Sequence, residues 1–183
     1  LMYFQHHDQF MATLARDIER LQRKATKQGK TLAVRLNGTS DIQWEKEHFF
    51  YNGKKTIFDV FPRVQFYDYT KIPRRTVPNN YHLTFSYSGV AEFQPVVEKQ
   101  LRHDPKTNLA VVFNGKLPQL RHDSSVNLAV VFSGKLPTHF MNREVINGDE
   151  NDVRFYDPTS VIVGLTAKGK AKTDTSNFVV AGV

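Results

Sequence analysis

Residues 31–44, TLAVRLNGTSDIQW, decide the reading of this chain. Leu32, Val34 and Leu36 alternate with Arg35 as the two faces of a strand do, and the run then breaks into a polar turn, Asn37-Gly38-Thr39-Ser40-Asp41. At least three further segments repeat that plan, an apolar strand first and a polar tip second.

Upstream, Phe10, Leu14, Ile18, Leu21 and Ala25 recur at helical spacing, with Arg16, Arg20, Arg23 and Lys24 on the other faces. With Asp8 as N-cap and Gly29 as C-cap, the pattern predicts a helix from about Asp8 to Gln28. Downstream come a loop carrying Trp44, Phe49, Phe50 and Tyr51, then a short helix ending at Pro62 with Ile57, Phe58, Val60 and Phe61 as its apolar positions. Val64–Tyr69 reads as a strand leading into the basic loop of Lys71, Arg74 and Arg75, and Tyr81–Ser88 alternates strictly. Glu92–Leu101 fits a helix started by Pro95. In the tail, Asn147-Gly148-Asp149 signals a turn, Val153-Arg154-Phe155 a short strand, and Val161–Leu165 another strand before Lys168-Gly169-Lys170. Helical segments alternating with apolar strands predict an α/β fold with a mostly parallel sheet, in one domain. A complete eight-unit barrel needs about 250 residues. A chain of 183 therefore predicts an open or partial TIM-like barrel with helices outside.

One feature interrupts that order. Residues 101–119, LRHDPKTNLAVVFNGKLPQ, recur as 120–138, LRHDSSVNLAVVFSGKLPT, identical at 14 of 19 positions. Two copies at this period do not make a solenoid, so they read as a tandem duplication of one strand unit. Leu109–Phe113 and Leu128–Phe132 are apolar runs of the kind buried on both faces. The polar link between them leaves no room for a good crossover helix, which predicts that one copy is surplus, as an edge strand or an outward loop.

With 40 % apolar residues the chain can bury a core, and it holds no run of the roughly 18 apolar residues that a membrane span needs. The expectation is a cytoplasmic protein that is not secreted, with no membrane partner. Zero cysteines exclude disulfides, zinc thiolate sites and iron–sulfur ligation by this chain. A net charge of +7 points to a polyanionic partner, or else to a surface charged only for solubility. The opening Leu1-Met2-Tyr3-Phe4-Gln5 reads as the middle of a longer protein or as a cloning remnant.

RLNGTSDIQWE (35–45), VQFYDYTK (64–71), NYHLTFS (80–86), NLAVVF, GDENDVRFYDP (148–158) and VGLTAKGKAKTDTSNFV (163–179) resemble an uncharacterised family encoded by bacteriophages, prophages and plasmids. The resemblance covers nearly the whole chain from about Phe10. Related phage proteins are similar to the half-barrel of radical S-adenosylmethionine enzymes, whose cysteine cluster has no counterpart here. The resemblance also implies a single NLAVVF strand, from which the second copy departs.

In parallel α/β sheets, ligands bind beyond the carboxyl ends of the strands. Arg35 lies in the first strand and Asn37, Ser40 and Asp41 follow it, Asp68 follows the second, and His82 and Ser86 line the third; Asp149, Asp152 and Lys168 follow later ones. Such residues could hold a nucleotide or another phosphate-bearing ligand, with magnesium as an admissible ion. The ordinary use of aspartates is to cap helices and close turns, and of a strand histidine to sit satisfied on a half-buried face. No Gly-x-Ser-x-Gly elbow, P-loop, dinucleotide fingerprint or His-Glu-x-x-His is present, so nucleophilic catalysis has no support. The second reading is a non-catalytic nucleic-acid-binding protein using Arg20 and Lys24 of the helix with Lys71, Arg74 and Arg75 of the loop, beside tyrosines suited to stacking. A third is a structural or protein-binding role.

Overall fold

The computed structural model describes residues 2–48, 51, 53–87, 95, 108–111, 127–140, 142–175 and 179–182. The chain is α/β and divides into two compact units, Leu1–Asp68 with Thr76–His82, and Tyr69–Arg75 with Leu83–Val183.

The first unit opens with α1 (Met2–Gln5) and the long α2 (His7–Lys27). The residues that α2 buries are Met11, Ala15 and Ile18, at i, i+4 and i+7. This corrects the expected stripe: Phe10, Leu14 and Ala25 are half-buried, and Leu21, beyond the last covered turn, is 43 % exposed. Asp8 lies inside the first turn rather than at the N-cap, which falls on His6. The C-terminus ends as expected around Gly29, whose φ of 64° lets Gly29 N–H reach Thr26 O (3.0 Å) and Lys30 N–H reach Ala25 O (2.9 Å). That closure turns the chain straight into β1 (Ala33–Arg35).

β1 lies parallel to β2 (Gln65–Thr70), with Ala33 opposite Gln65 and Arg35 opposite Tyr67. Between them, α3 (Ile57–Val60) starts on a reciprocal cap in which Asp59 N–H donates to Thr56 Oγ1 and Thr56 N–H to Asp59 Oδ2. Its Phe58 stacks on Tyr81 at 4.6 Å and meets Phe66 edge-on at 5.0 Å. The Asn80 amide donates to the Phe61 carbonyl at 3.1 Å, tying the end of α3 to the residue before β3 (Tyr81–Tyr87).

In the second unit the later residues of β3 pair with β4 (Asn108–Val111), β4 with β5 (Leu128–Ser133), β5 with β8 (Ile162–Thr166) and β8 with β7 (Arg143–Asn147), all in parallel. β9 (Val180–Ala181) also runs parallel to β5, but β6 (His139–Phe140) is antiparallel to β7. The strand order is β3-β4-β5-β8-β7-β6. The sheet is mixed through that one antiparallel pair, its other described pairings being parallel: only Met141 and Asn142 separate β6 from β7, and so short a connection can only reverse the chain. Gly148 donates its N–H to Gly164 O at 2.8 Å, and a Cβ there would come within 2.5 Å of Val163 Cγ1, so the exit of β7 requires glycine.

Both near-identical segments supply a strand. Leu109 pairs with Leu128, the same position of the two copies, and neither strand lies at an edge: β4 sits between β3 and β5, and β5 between β4 and β8. The expectation of a surplus copy is thus corrected. An all-apolar run suits an interior strand covered on both faces, and two identical runs satisfy two such places. Residues 112–126, which connect them, lie outside the described residues, as does the expected helix 92–101 apart from Pro95, which is helical. The expected strand at Val153-Arg154-Phe155 is instead a 3₁₀ turn, Arg154–Tyr156, closed by the Arg154 side chain folding onto Asn151 and Asp157. Among the described residues no helix is long and apolar enough to cross a membrane.

Candidate functional site

Three of the expected strand-tip residues come together in the first unit. Asn37 is 2 % and Asp68 1 % exposed. Asp68 Oδ1 accepts the Asn37 backbone N–H at 2.8 Å, and Oδ2 accepts the Asn37 side-chain N–H at 3.2 Å and the Tyr81 hydroxyl at 2.8 Å. Asn37 Oδ1 accepts from Ser40 Oγ (2.8 Å), Ile42 N–H (3.0 Å) and the Trp44 indole N–H (3.0 Å). Three donors on one oxygen fix which way the amide faces. The polar turn after β1 is thus pinned to β2 through one asparagine. Arg35 adds to it from outside, its Nε donating to the Asn37 carbonyl at 3.0 Å. Trp44 and Tyr81 belong to this cluster and were not foreseen. The signal was available, since a buried indole or phenol needs a polar partner.

Elsewhere in this unit Asp41 is half-buried, and His82 is half-buried with its imidazole pushed below the usual pKa by desolvation, which keeps it neutral at pH 7. In the second unit Ser86 is a β3 residue paired with Ala110. Asp149 and Lys168 do meet, at 2.8 Å, and Asp149 also accepts the Thr166 N–H at 2.8 Å. The Lys168 hydrogen bond is the main cause holding the Asp149 carboxyl below its ordinary pKa. Asp152 is exposed three residues along. Arg154, only 6 % exposed, lies 3.1 Å from Asp157, whose carboxyl is nonetheless pushed up because burial outweighs the guanidinium. In the basic loop, Thr70 Oγ1 accepts from Ile72 N–H and Arg75 Nη1, both at 3.1 Å, while Lys71 and Arg74 are exposed and Arg74 takes φ 58°. Among the described residues no three His, Asp or Glu side chains group so as to hold a metal ion.

A file of exposed cations lies on α2. Arg16, Arg20, Arg23 and Lys27 follow at i, i+4, i+7 and i+11, with Lys24 beside them, all exposed and opposite in helical phase to Met11, Ala15 and Ile18. The stripe is about 16 Å long at the helical rise. It ends in an open groove of about 650 Å³ lined by Gln22, Arg23, Thr26, Lys27, Lys30, Thr31, Leu32 and Arg63. Four of these residues are cations and none is acidic. Lys30 and Arg63 stand just before β1 and β2, so the groove lies at the amino ends of this parallel pair, opposite to the edge where a ligand was expected. Neither residue was singled out from the sequence; their common place, two or three residues ahead of paired strands, becomes visible only with the pairing.

No curated protein and no solved structure matches the chain. A family model does: residues 1–182 match the one described as Gene product 88, and the chain belongs to that family.

Proposed function

We propose that this phage-type protein binds nucleic acid without doing chemistry on it, with the cationic face of α2 laid along the phosphate backbone. The observation that carries the reading is the segregation of α2, apolar on the covered side and Arg16, Arg20, Arg23, Lys24 and Lys27 on the exposed side. A strand presents one phosphate per ~3.4 Å, so a ~16 Å stripe meets about five of them. The net charge of +7 supports the same reading at long range. The loop of Lys71, Arg74 and Arg75 is a separate basic segment of the chain.

The test is a salt titration of binding to single- and double-stranded DNA. Affinity should fall steeply with salt, and Arg20→Ala/Lys24→Ala should flatten the slope of log K against log salt by about two, one per lost phosphate contact. An unchanged slope, or no binding at 50 mM salt, would overturn the reading.

A nucleotide at the strand tips is the second reading, supported by the gathering of Asn37, Ser40 and Asp68 at one place. Magnesium would enter it with the ligand's phosphates. A likeness to radical S-adenosylmethionine half-barrels adds no chemistry to either reading, because the chain has no cysteine.

A further inference from the structure

We infer that the groove at the C-terminal end of α2 is a site for a phosphomonoester, the terminal phosphate of a nucleic-acid strand or of a free nucleotide. Its strand-end form rests on the nucleic-acid reading above. The argument begins with charge density. Along the helix the cations are spread in single file, as suits phosphodiesters that carry one charge each. In the groove four cations from three separate segments, Arg23 and Lys27 of α2, Lys30 of the turn and Arg63 ahead of β2, line one space of about 650 Å³. A phosphodiester has too little charge to engage them all. A terminal phosphate carries about −1.5 to −2 at neutral pH and three acceptor oxygens, and Arg can meet it with two parallel N–H donors.

The volume falls in the range of small-ligand sites, roughly 300–1,000 Å³, so a nucleotide-sized group fits. Gln22, Thr26 and Thr31 put polar side chains on the walls, and Leu32 gives one apolar contact. None of the described residues that line the groove is aromatic, so it is charge and not base stacking that points to a phosphate here. The end of a helix opposes an anion with a partial charge of about −0.5. That is small beside four full charges, and the backbone closure at Gly29 and Lys30 already occupies the Ala25 and Thr26 carbonyls.

The experiment measures binding of one single-stranded oligonucleotide carrying hydroxyl ends, a 5′-phosphate or a 3′-phosphate, with AMP as the free-nucleotide arm. It uses the full chain, its Lys30→Ala/Arg63→Ala variant and the Arg20→Ala/Lys24→Ala control. All four positions are exposed, so both variants should keep the melting temperature. The expected result is about tenfold tighter binding of one phosphorylated end than of the hydroxyl strand. That preference should disappear in Lys30→Ala/Arg63→Ala and persist in the control, which weakens all strands alike. It should also shrink between pH 7.5 and 5.5, as the phosphate's second proton returns near pH 6; none of the described lining residues is a histidine. If no oligonucleotide binds but AMP does, and binding is lost in Lys30→Ala/Arg63→Ala, the nucleic-acid reading falls while the phosphomonoester site stands with a free nucleotide as its source. If the hydroxyl strand binds and phosphate at neither end adds affinity, or if the preference survives in Lys30→Ala/Arg63→Ala, the inference is overturned and the nucleic-acid reading is untouched. Silence from every probe overturns both.

Discussion

Asp68 in the first unit and Asp149 in the second stand near the ends of strands, and each accepts a backbone N–H at 2.8 Å, from Asn37 and from Thr166. Their remaining partners differ. Asp68, 1 % exposed, takes the Asn37 amide and the Tyr81 hydroxyl. Asp149, with 23 % of its side chain exposed, takes the ammonium of Lys168, itself 74 % exposed. Two aspartates that look alike in sequence as strand-tip carboxyls therefore do different work. Removing the first strands donors where water is scarce, whereas removing the second leaves groups that water can satisfy. Burial of the partners, more than the carboxyl itself, decides which one the fold depends on.

The largest expected effect follows directly. Asp68→Ala leaves the Asn37 N–H and the Tyr81 hydroxyl buried without this acceptor, and each orphaned donor costs about 1–3 kcal/mol. A loss of roughly 3 kcal/mol is a large fraction of a stability of about 5–15 kcal/mol, and urea unfolding measures it. A midpoint close to wild type would break the comparison, and Asp68→Ala would then serve as a clean probe of the strand-tip reading. Tyr81→Phe is the smaller cut into the same network. It removes one donor while Asp68 Oδ2 keeps the Asn37 amide, so about 1–2 kcal/mol is expected, with the ring still stacked on Phe58.

The same contrast explains what could be read from the sequence. Period and punctuation are local, so α2, α3 and strands β1, β2, β3, β5 and β8 were legible from patterns such as Leu32-Val34-Leu36 and from Gly29. Residues that act across sequence distance were legible only in part. Asn37, Ser40 and Asp68 were named as polar tips, but nothing local says that one asparagine oxygen collects Ser40, Ile42 and Trp44, or that Tyr81 reaches back 13 residues to Asp68. The basic stripe was visible because helical period orders it. The groove was hidden because Lys30 and Arg63 meet only through the parallel pairing of β1 with β2. The two NLAVVF runs were recognised as strands, yet their adjacency was misjudged. Loop length argued against a parallel pair, while the sheet places Leu109 beside Leu128.

The smallest effect tests the exposed half of the comparison and carries a sign in pH. Asp149 has its pKa lowered in the fold, chiefly by Lys168 and then by the Thr166 N–H. A lowered acid pKa contributes stability that is present above the unfolded value, near 3.9, and lost as pH falls through the folded one. With Lys168 largely in water, solvent screening holds the pair below about 1 kcal/mol. Lys168→Met should therefore lower stability by a few tenths of a kcal/mol at pH 7, and the deficit should close below pH 4. Asp157 slopes the other way: its raised pKa gives stability present below the unfolded value and lost as pH rises through the folded one. The quantity to follow is thus the difference between wild type and variant across pH 2–7, in which the Asp157 contribution cancels. A deficit larger than that of Tyr81→Phe, or one that persists at pH 2, would mean that the Asp149 latch holds the exits of β7 and β8 as firmly as Asp68 holds the turn after β1, and exposure would no longer separate the two carboxyls.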